Sequence, residues 1–100
     1  MAARLPKLPN KLPKIKLVRE QTGDKVYEYY PLGEHLVAAP GVCGGRPTIK
    51  YTRLDARHIM GFLEAGDTPR GIARDHEIPL AAVKETIKLA SVYDYEQSYA

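Results

Sequence analysis

One hundred residues, 23 of them Leu, Ile, Val or Phe, supply one modest core and leave no room for two. The longest apolar runs fall far short of the ~18 residues of a membrane helix. The start MAARLPKLPNKLPKIK lacks the apolar stretch of a secretory signal, and the lone Cys43 excludes a disulfide framework or a multi-thiolate zinc cluster and reads as a reducing cytoplasm. The formal net charge of +3 is uneven: residues 1–20 hold six bases against one acid, residues 21–100 nine bases against eleven acids.

The chain opens with a short repeat, Leu5-Pro6-Lys7, Leu8-Pro9-Asn10, Leu12-Pro13-Lys14. Proline at this density removes backbone donors and biases its predecessors to extended conformations, so residues 1–13 read as a basic, disordered arm. Its Arg4, Lys7 and Lys11 can neutralise phosphates, giving a salt-dependent, largely sequence-blind affinity. A solubilising tail has the same composition.

Residues 14–53 read as a hairpin-and-loop region. Lys14 to Arg19 and Lys25 to Tyr30 alternate on either side of Thr22-Gly23-Asp24, which predicts a β-hairpin ended by Pro31 and Gly33. His35 to Ala38 is a second extended piece. Pro40 to Pro47 is loop by composition, and Thr48 to Thr52 a short strand.

The remainder, residues 54–92, is helical. Leu54, Ile59, Phe62 and Leu63 fall near helical spacing before a stop at Gly66, which predicts helix one near 55–65. Thr68 as N-cap and Pro69 at the first turn start helix two, which runs to about Asp75. After the Ile78-Pro79 break, Leu80, Val83, Ile87 and Ala90 supply an apolar stripe for helix three, with a continuation beyond Val92 open. The expected fold is therefore α+β: a hairpin and short strands followed by a three-helix, homeodomain-like bundle.

The segment Ile72 to Lys84 carries the most information. A helix-turn-helix needs a small residue on its first helix, an apolar residue in the turn and another one turn into the second helix; Ala73, Ile78 and Val83 stand at those places. Glu77 occupies the turn position where glycine is usual, so a left-handed backbone there costs ~1 kcal/mol. An ordinary αα-corner without a ligand fits the same spacing. If helix three reads DNA, its outward positions are Ala81, Ala82, Lys84, Glu85 and Lys88. No Arg, Asn or Gln lies between Leu80 and Glu96 to read bases directly. Lys84 and Lys88 would hold phosphates or a guanine, Glu85 would repel the DNA backbone, and Thr68 and Arg70 are expected backbone contacts at the start of helix two.

The loop Pro40 to Arg53, PGVCGGRPTIKYTR, followed by a short helix, an Ala-Gly stop and the helix-turn-helix spacing, resembles the domain-of-unknown-function 433 family over residues 35–92. The resemblance implies a small prokaryotic helix-turn-helix protein acting as a VapB-type antitoxin beside a PIN-like nuclease toxin. Tyr51 stands where the family usually has glycine, which reads as a backbone not held at positive φ. Leu54-Asp55-Ala56 stands in place of Ile-Pro-Val.

Within that loop, Gly44-Gly45 could nest an anion. Arg46 and Arg53 could anchor an acidic partner or satisfy local carbonyls and carboxylates. Short strands flanking the loop read as free edges, whose pairing with a second copy would make a homodimer. His35, His58 and His76 share no metal spacing, Cys43 has no accompanying base, and no cofactor motif occurs, so no enzyme, metal or cofactor is expected. In the tail, residues 93–100, Tyr93 and Tyr95 could dock on a partner, or Tyr93 could pack on the domain while the others fray. The expected function is a DNA-binding antitoxin-like regulator, with a protein-interaction adaptor on the same fold as the alternative.

Overall fold

A computed structural model describes residues 15–100; the arm that carries Arg4, Lys7 and Lys11 lies outside the described residues. Four strands, β1 (Val18–Thr22), β2 (Lys25–Pro31), β3 (Leu36–Ala38) and β4 (Pro47–Ile49), form one antiparallel sheet in the order β1-β2-β3-β4. Three helices follow: α1 (Ala56–Glu64), α2 (Pro69–His76) and α3 (Leu80–Leu89). The fold is α+β, a four-stranded antiparallel sheet followed by three helices.

The hairpin closes as its sequence dictates. Thr22 pairs with Lys25 across a two-residue turn whose first residue, Gly23, has φ 66°, as such a tight turn requires. Pro31 does not end β2 but is its last residue, opposite Val37. The strands on either side of the glycine-rich loop are not free edges: β3 pairs with β2 on one side and with β4 on the other. That corrects the expected dimer surface, because these edges are already used within the chain. The strand expected over Thr48 to Thr52 is β4 and stops at Ile49. There the chain turns, Thr52 N–H donating to the Ile49 carbonyl at 3.0 Å.

The turn runs through Tyr51 at φ 67°, which overturns the expectation drawn from a tyrosine at that place. The left-handed strain of a side chain here is offset by bonds that Tyr51 makes to the hairpin, described below.

The helix boundaries follow their caps. Asp55 Oδ1 accepts from the Arg57 N–H at 3.0 Å and starts α1; Thr68 Oγ1 accepts from the Gly71 N–H at 3.0 Å and starts α2, with Pro69 in the first turn. At the end of α1, Asp67 N–H donates to the Phe62 carbonyl and Gly66 N–H to Leu63, a Schellman closure. At the end of α2 the same pair of bonds recurs, from Ile78 to Ala73 and from Glu77 to Arg74, with Glu77 left-handed at φ 56°, ψ 45°. Helix α3 stops at Leu89 and does not continue past Val92.

One core joins the sheet, the helices and the tail. Leu36, Ala38 and Ile49 from the sheet meet Ala56 and Ile59 of α1, Ile72 and Ala73 of α2, and Ala82 and Val83 of α3. Ile87, expected inside, is 40% exposed; the buried position on that turn is Thr86, whose hydroxyl donates to the Ala82 carbonyl at 2.8 Å. A hydroxyl satisfied within its own helix can be buried at little cost, and this shifts the apolar face of α3 by one residue. Among the described residues, no helix is long and apolar enough to cross a membrane.

Three tyrosines of the last eight residues belong to the same core. Tyr93, Tyr95 and Tyr99 are 6%, 7% and 5% exposed: Tyr93 packs on the domain, as one of the two open readings has it, but Tyr95 and Tyr99 are buried with it and do not fray. The Tyr95 hydroxyl donates to the Thr86 carbonyl at 2.6 Å, and Tyr99 N–H donates to the Gly45 carbonyl at 2.9 Å. A Cβ at Gly45 would come within 2.5 Å of Ser98 Oγ. The glycine loop is thus tight because the tail lies across it.

Candidate nucleic-acid interface

Helices α2 and α3 are joined by the three residues Glu77-Ile78-Pro79, a helix-turn-helix-like corner. Ala73, Ile78 and Val83 are 9%, 8% and 0% exposed, so the small residue, the turn residue and the residue one turn into α3 all face the core. Stacking of His76 on Phe62, with ring centroids 5.1 Å apart, ties the end of α2 to α1.

The outward face of α3 consists of Ala81, Lys84, Ile87 and Lys88, with Ser91 just beyond the helix. Lys84 and Lys88 are one turn apart and have no ion-pair partner among the described residues. Ala82, expected outward, is buried. Glu85, also expected outward, turns to the sheet instead. Its carboxylate accepts from the backbone N–H groups of Glu34, His35 and Leu36 at 2.7, 2.7 and 2.8 Å. A Cβ at Gly33 would lie 2.8 Å from that carboxyl group, so the glycine is what lets α3 approach. This bond set removes the acid from the outward face and leaves cations there.

Thr68 and Arg70 sit at the opening turn of α2; Thr68 is used as the cap, and Arg70 is exposed. Arg46 does not reach out to a partner. Its Nε lies 3.2 Å from Asp55 Oδ2, and Asp55 is 1% exposed with Arg57 Nε 3.3 Å from the same oxygen. Arg46 therefore ties the glycine loop to the start of α1, the local role that was its alternative. Arg53 is exposed, and its carbonyl accepts the half-buried Cys43 thiol at 3.3 Å. Tyr93 and Tyr95, considered for partner docking, point into the core and offer no surface for it.

A second cluster was not anticipated. On the sheet face away from the helices, Glu20 accepts from the Tyr51 hydroxyl at 2.7 Å and from the Tyr29 hydroxyl at 2.8 Å. These two bonds hold its carboxyl below the usual range, Tyr51 contributing most. Tyr51 N–H donates to the Tyr27 hydroxyl at 3.0 Å, and Lys50 Nζ lies 5.0 and 5.3 Å from the Tyr29 and Tyr51 ring centroids. The alternation Tyr27-Glu28-Tyr29 places both tyrosines on one face, a signal present in the sequence. Glu20 and Tyr51 join them only through strand register and the turn after β4. An open groove of about 380 Å³ runs from Lys50 and Tyr51 to Glu77 and Pro79, bringing this cluster next to the α2–α3 turn.

A family model described as a protein of unknown function (DUF433) matches residues 36–90. The chain belongs to the DUF433 family. The match takes in β3, β4, the glycine loop and all three helices, whereas β1 and β2 precede it. Tyr51 thus bonds the DUF433 region to a hairpin outside it. No curated protein and no solved structure matches the chain.

Proposed function

We propose that this DUF433 chain is a non-enzymatic, antitoxin-like regulator that binds DNA through α2, the turn and α3, and pairs with a PIN-like nuclease. The observation that carries the DNA half is the outward face of α3. Lys84 and Lys88 stand there with no ion-pair partner among the described residues, and Glu85, which follows Lys84 in the sequence, is held against the backbone of residues 34–36. Two lysines one turn apart neutralise phosphates without reading bases, so binding is strongly salt-dependent and the helix contributes little sequence selectivity. The toxin half rests on the family resemblance, and its surface is one other than Tyr93 and Tyr95.

The test is fluorescence anisotropy with the DNA upstream of the reading frame across a salt series. Replacing Lys84 and Lys88 together by Ala lowers affinity at low salt and reduces the salt slope by about 2, near one for each phosphate that is no longer neutralised. Removing residues 1–14 reduces the slope further if the arm touches phosphate. Absence of binding at low salt sinks the DNA half.

The adaptor alternative is favoured by one observation, the exposed Tyr51 beside the groove at the α2–α3 turn. It predicts that the Lys84, Lys88 double variant retains its protein partner and has no DNA phenotype.

A further inference from the structure

We infer that the chain self-associates through the free edge of β1, in an antiparallel pairing about a two-fold axis at Val18. This rests on the sheet alone and is independent of DNA binding. β1 is the end strand of the sheet. The opposite end is closed, because Thr48 bridges to Asp55 and Ile49 N–H donates to the Leu54 carbonyl at 3.1 Å. The two-residue turn makes Thr22 and Lys25 a hydrogen-bonded pair, and alternation then directs the backbone groups of Val18, Glu20 and Thr22 toward β2. Those of Arg19 and Gln21 point away from the sheet and have no partner among the described residues. The strand VREQT has no proline, so no outward N–H is missing from its edge; Lys16, just before it, meets an acid in the register below.

Charge selects the register. A two-fold pairing that keeps side chains on their own faces is centred on one residue; of the centres from Leu17 to Gln21, only Val18 sets opposite charges face to face among the described residues ahead of the Gly23 turn. Centring on Arg19 or on Glu20 stacks like charges directly opposite one another, which is unfavourable. Centring on Val18 sets Val18 against its copy and Lys16 against Glu20 of the second copy, twice by symmetry. Glu20 is available for this: it accepts two tyrosine hydroxyls but has no cation within ion-pair distance among the described residues. Arg19 is held sideways by Glu28 at 2.7 Å, and Leu17, 38% exposed, gains the alkyl stem of Arg19 from the second copy as its cover.

Sedimentation equilibrium on the full chain over a concentration series reads the association. The expected result is a monomer–dimer equilibrium that weakens with salt. Arg19→Pro removes an outward donor without touching the bonds to β2, so it raises the dimer Kd at least tenfold while circular dichroism is unchanged. Lys16→Glu also weakens the dimer. Register is read by oxidation in a Cys43→Ser background, which also covers a proline variant that does not fold. Val18→Cys places two thiols across the axis, where Cα atoms of such a pair lie about 4.5 Å apart, and gives a covalent dimer. Gln21→Cys, about 20 Å from its copy in this register, does not. A chain that stays monomeric at every concentration, a dimer indifferent to Arg19→Pro, or cross-linking at position 21 equal to that at 18 overturns the proposal.

Discussion

Glu85 shows how one side chain sets both a fold and a surface. A carboxylate accepting three backbone N–H groups is a set of charge-assisted bonds, and it fixes α3 against the start of β3. Glu85→Ala leaves those donors to water or to nothing, and the expected loss is about 2–3 kcal/mol, measured by urea unfolding. Glu85→Gln, with one acceptor oxygen, falls between. Tyr95 acts similarly one residue along α3, where its hydroxyl donates to the Thr86 carbonyl at 2.6 Å. Burial is the main reason its phenol is pushed well above its ordinary range, with the Glu85 charge second. A raised phenol pKa favours the neutral form in the fold. The stabilisation is fully present below the unfolded value of about 10 and is lost as pH rises through the folded value. Melting temperature should therefore hold level up to about pH 10 and drop above it. Tyr95→Phe, about 1–2 kcal/mol less stable at neutral pH, should show a shallower alkaline drop.

At the scale of elements, the turn between α2 and α3 carries strain that its neighbours sustain. Glu77 is left-handed at φ 56°, yet the bonds from Ile78 to Ala73 and from Glu77 to Arg74 close the helix as a glycine would allow. Glu77→Gly relieves the side-chain clash, and the expected gain is ~1 kcal/mol, or a rise of several degrees in melting temperature by calorimetry. Much of this level was legible in the sequence. Thr68-Pro69, Gly66 and the Gly23 turn act within a few residues of themselves, and each ended or began its element near the expected place. The phase of α3 was not legible, because hydropathy favours Ile87 over Thr86 and does not register that a threonine can bond its own helix. Nor was the left-handed Tyr51, whose compensation comes from Tyr27 and Glu20 on another hairpin.

For the molecule as a whole, the sheet, the helical corner and the tail share one core. Tyr93 donates to the Leu32 carbonyl at 3.3 Å, 61 residues away, and packs edge-on against Tyr99 with centroids 5.3 Å apart. Burying an aromatic side chain is worth about 2–3 kcal/mol, and a domain of this size has only about 5–15 kcal/mol in all. Deleting residues 93–100 removes three such side chains, so cooperative thermal unfolding should disappear, as followed by near-ultraviolet circular dichroism. The proposed DNA surface depends on the same core, since α3 is held to the sheet through Glu85 and to the tail through the neighbouring Thr86 carbonyl.

From the chain alone come the element types, the caps and the alanine-to-valine corner, all of which rest on interactions spanning about ten residues or fewer. Periodicity and turn chemistry encode such interactions directly. Folding decided which carboxylate leaves the outward face of α3, which tyrosines are inside, and which strand edge stays open. Those outcomes depend on partners such as Glu85 and His35, 50 residues apart, whose meeting is set by packing and strand register rather than by any local pattern.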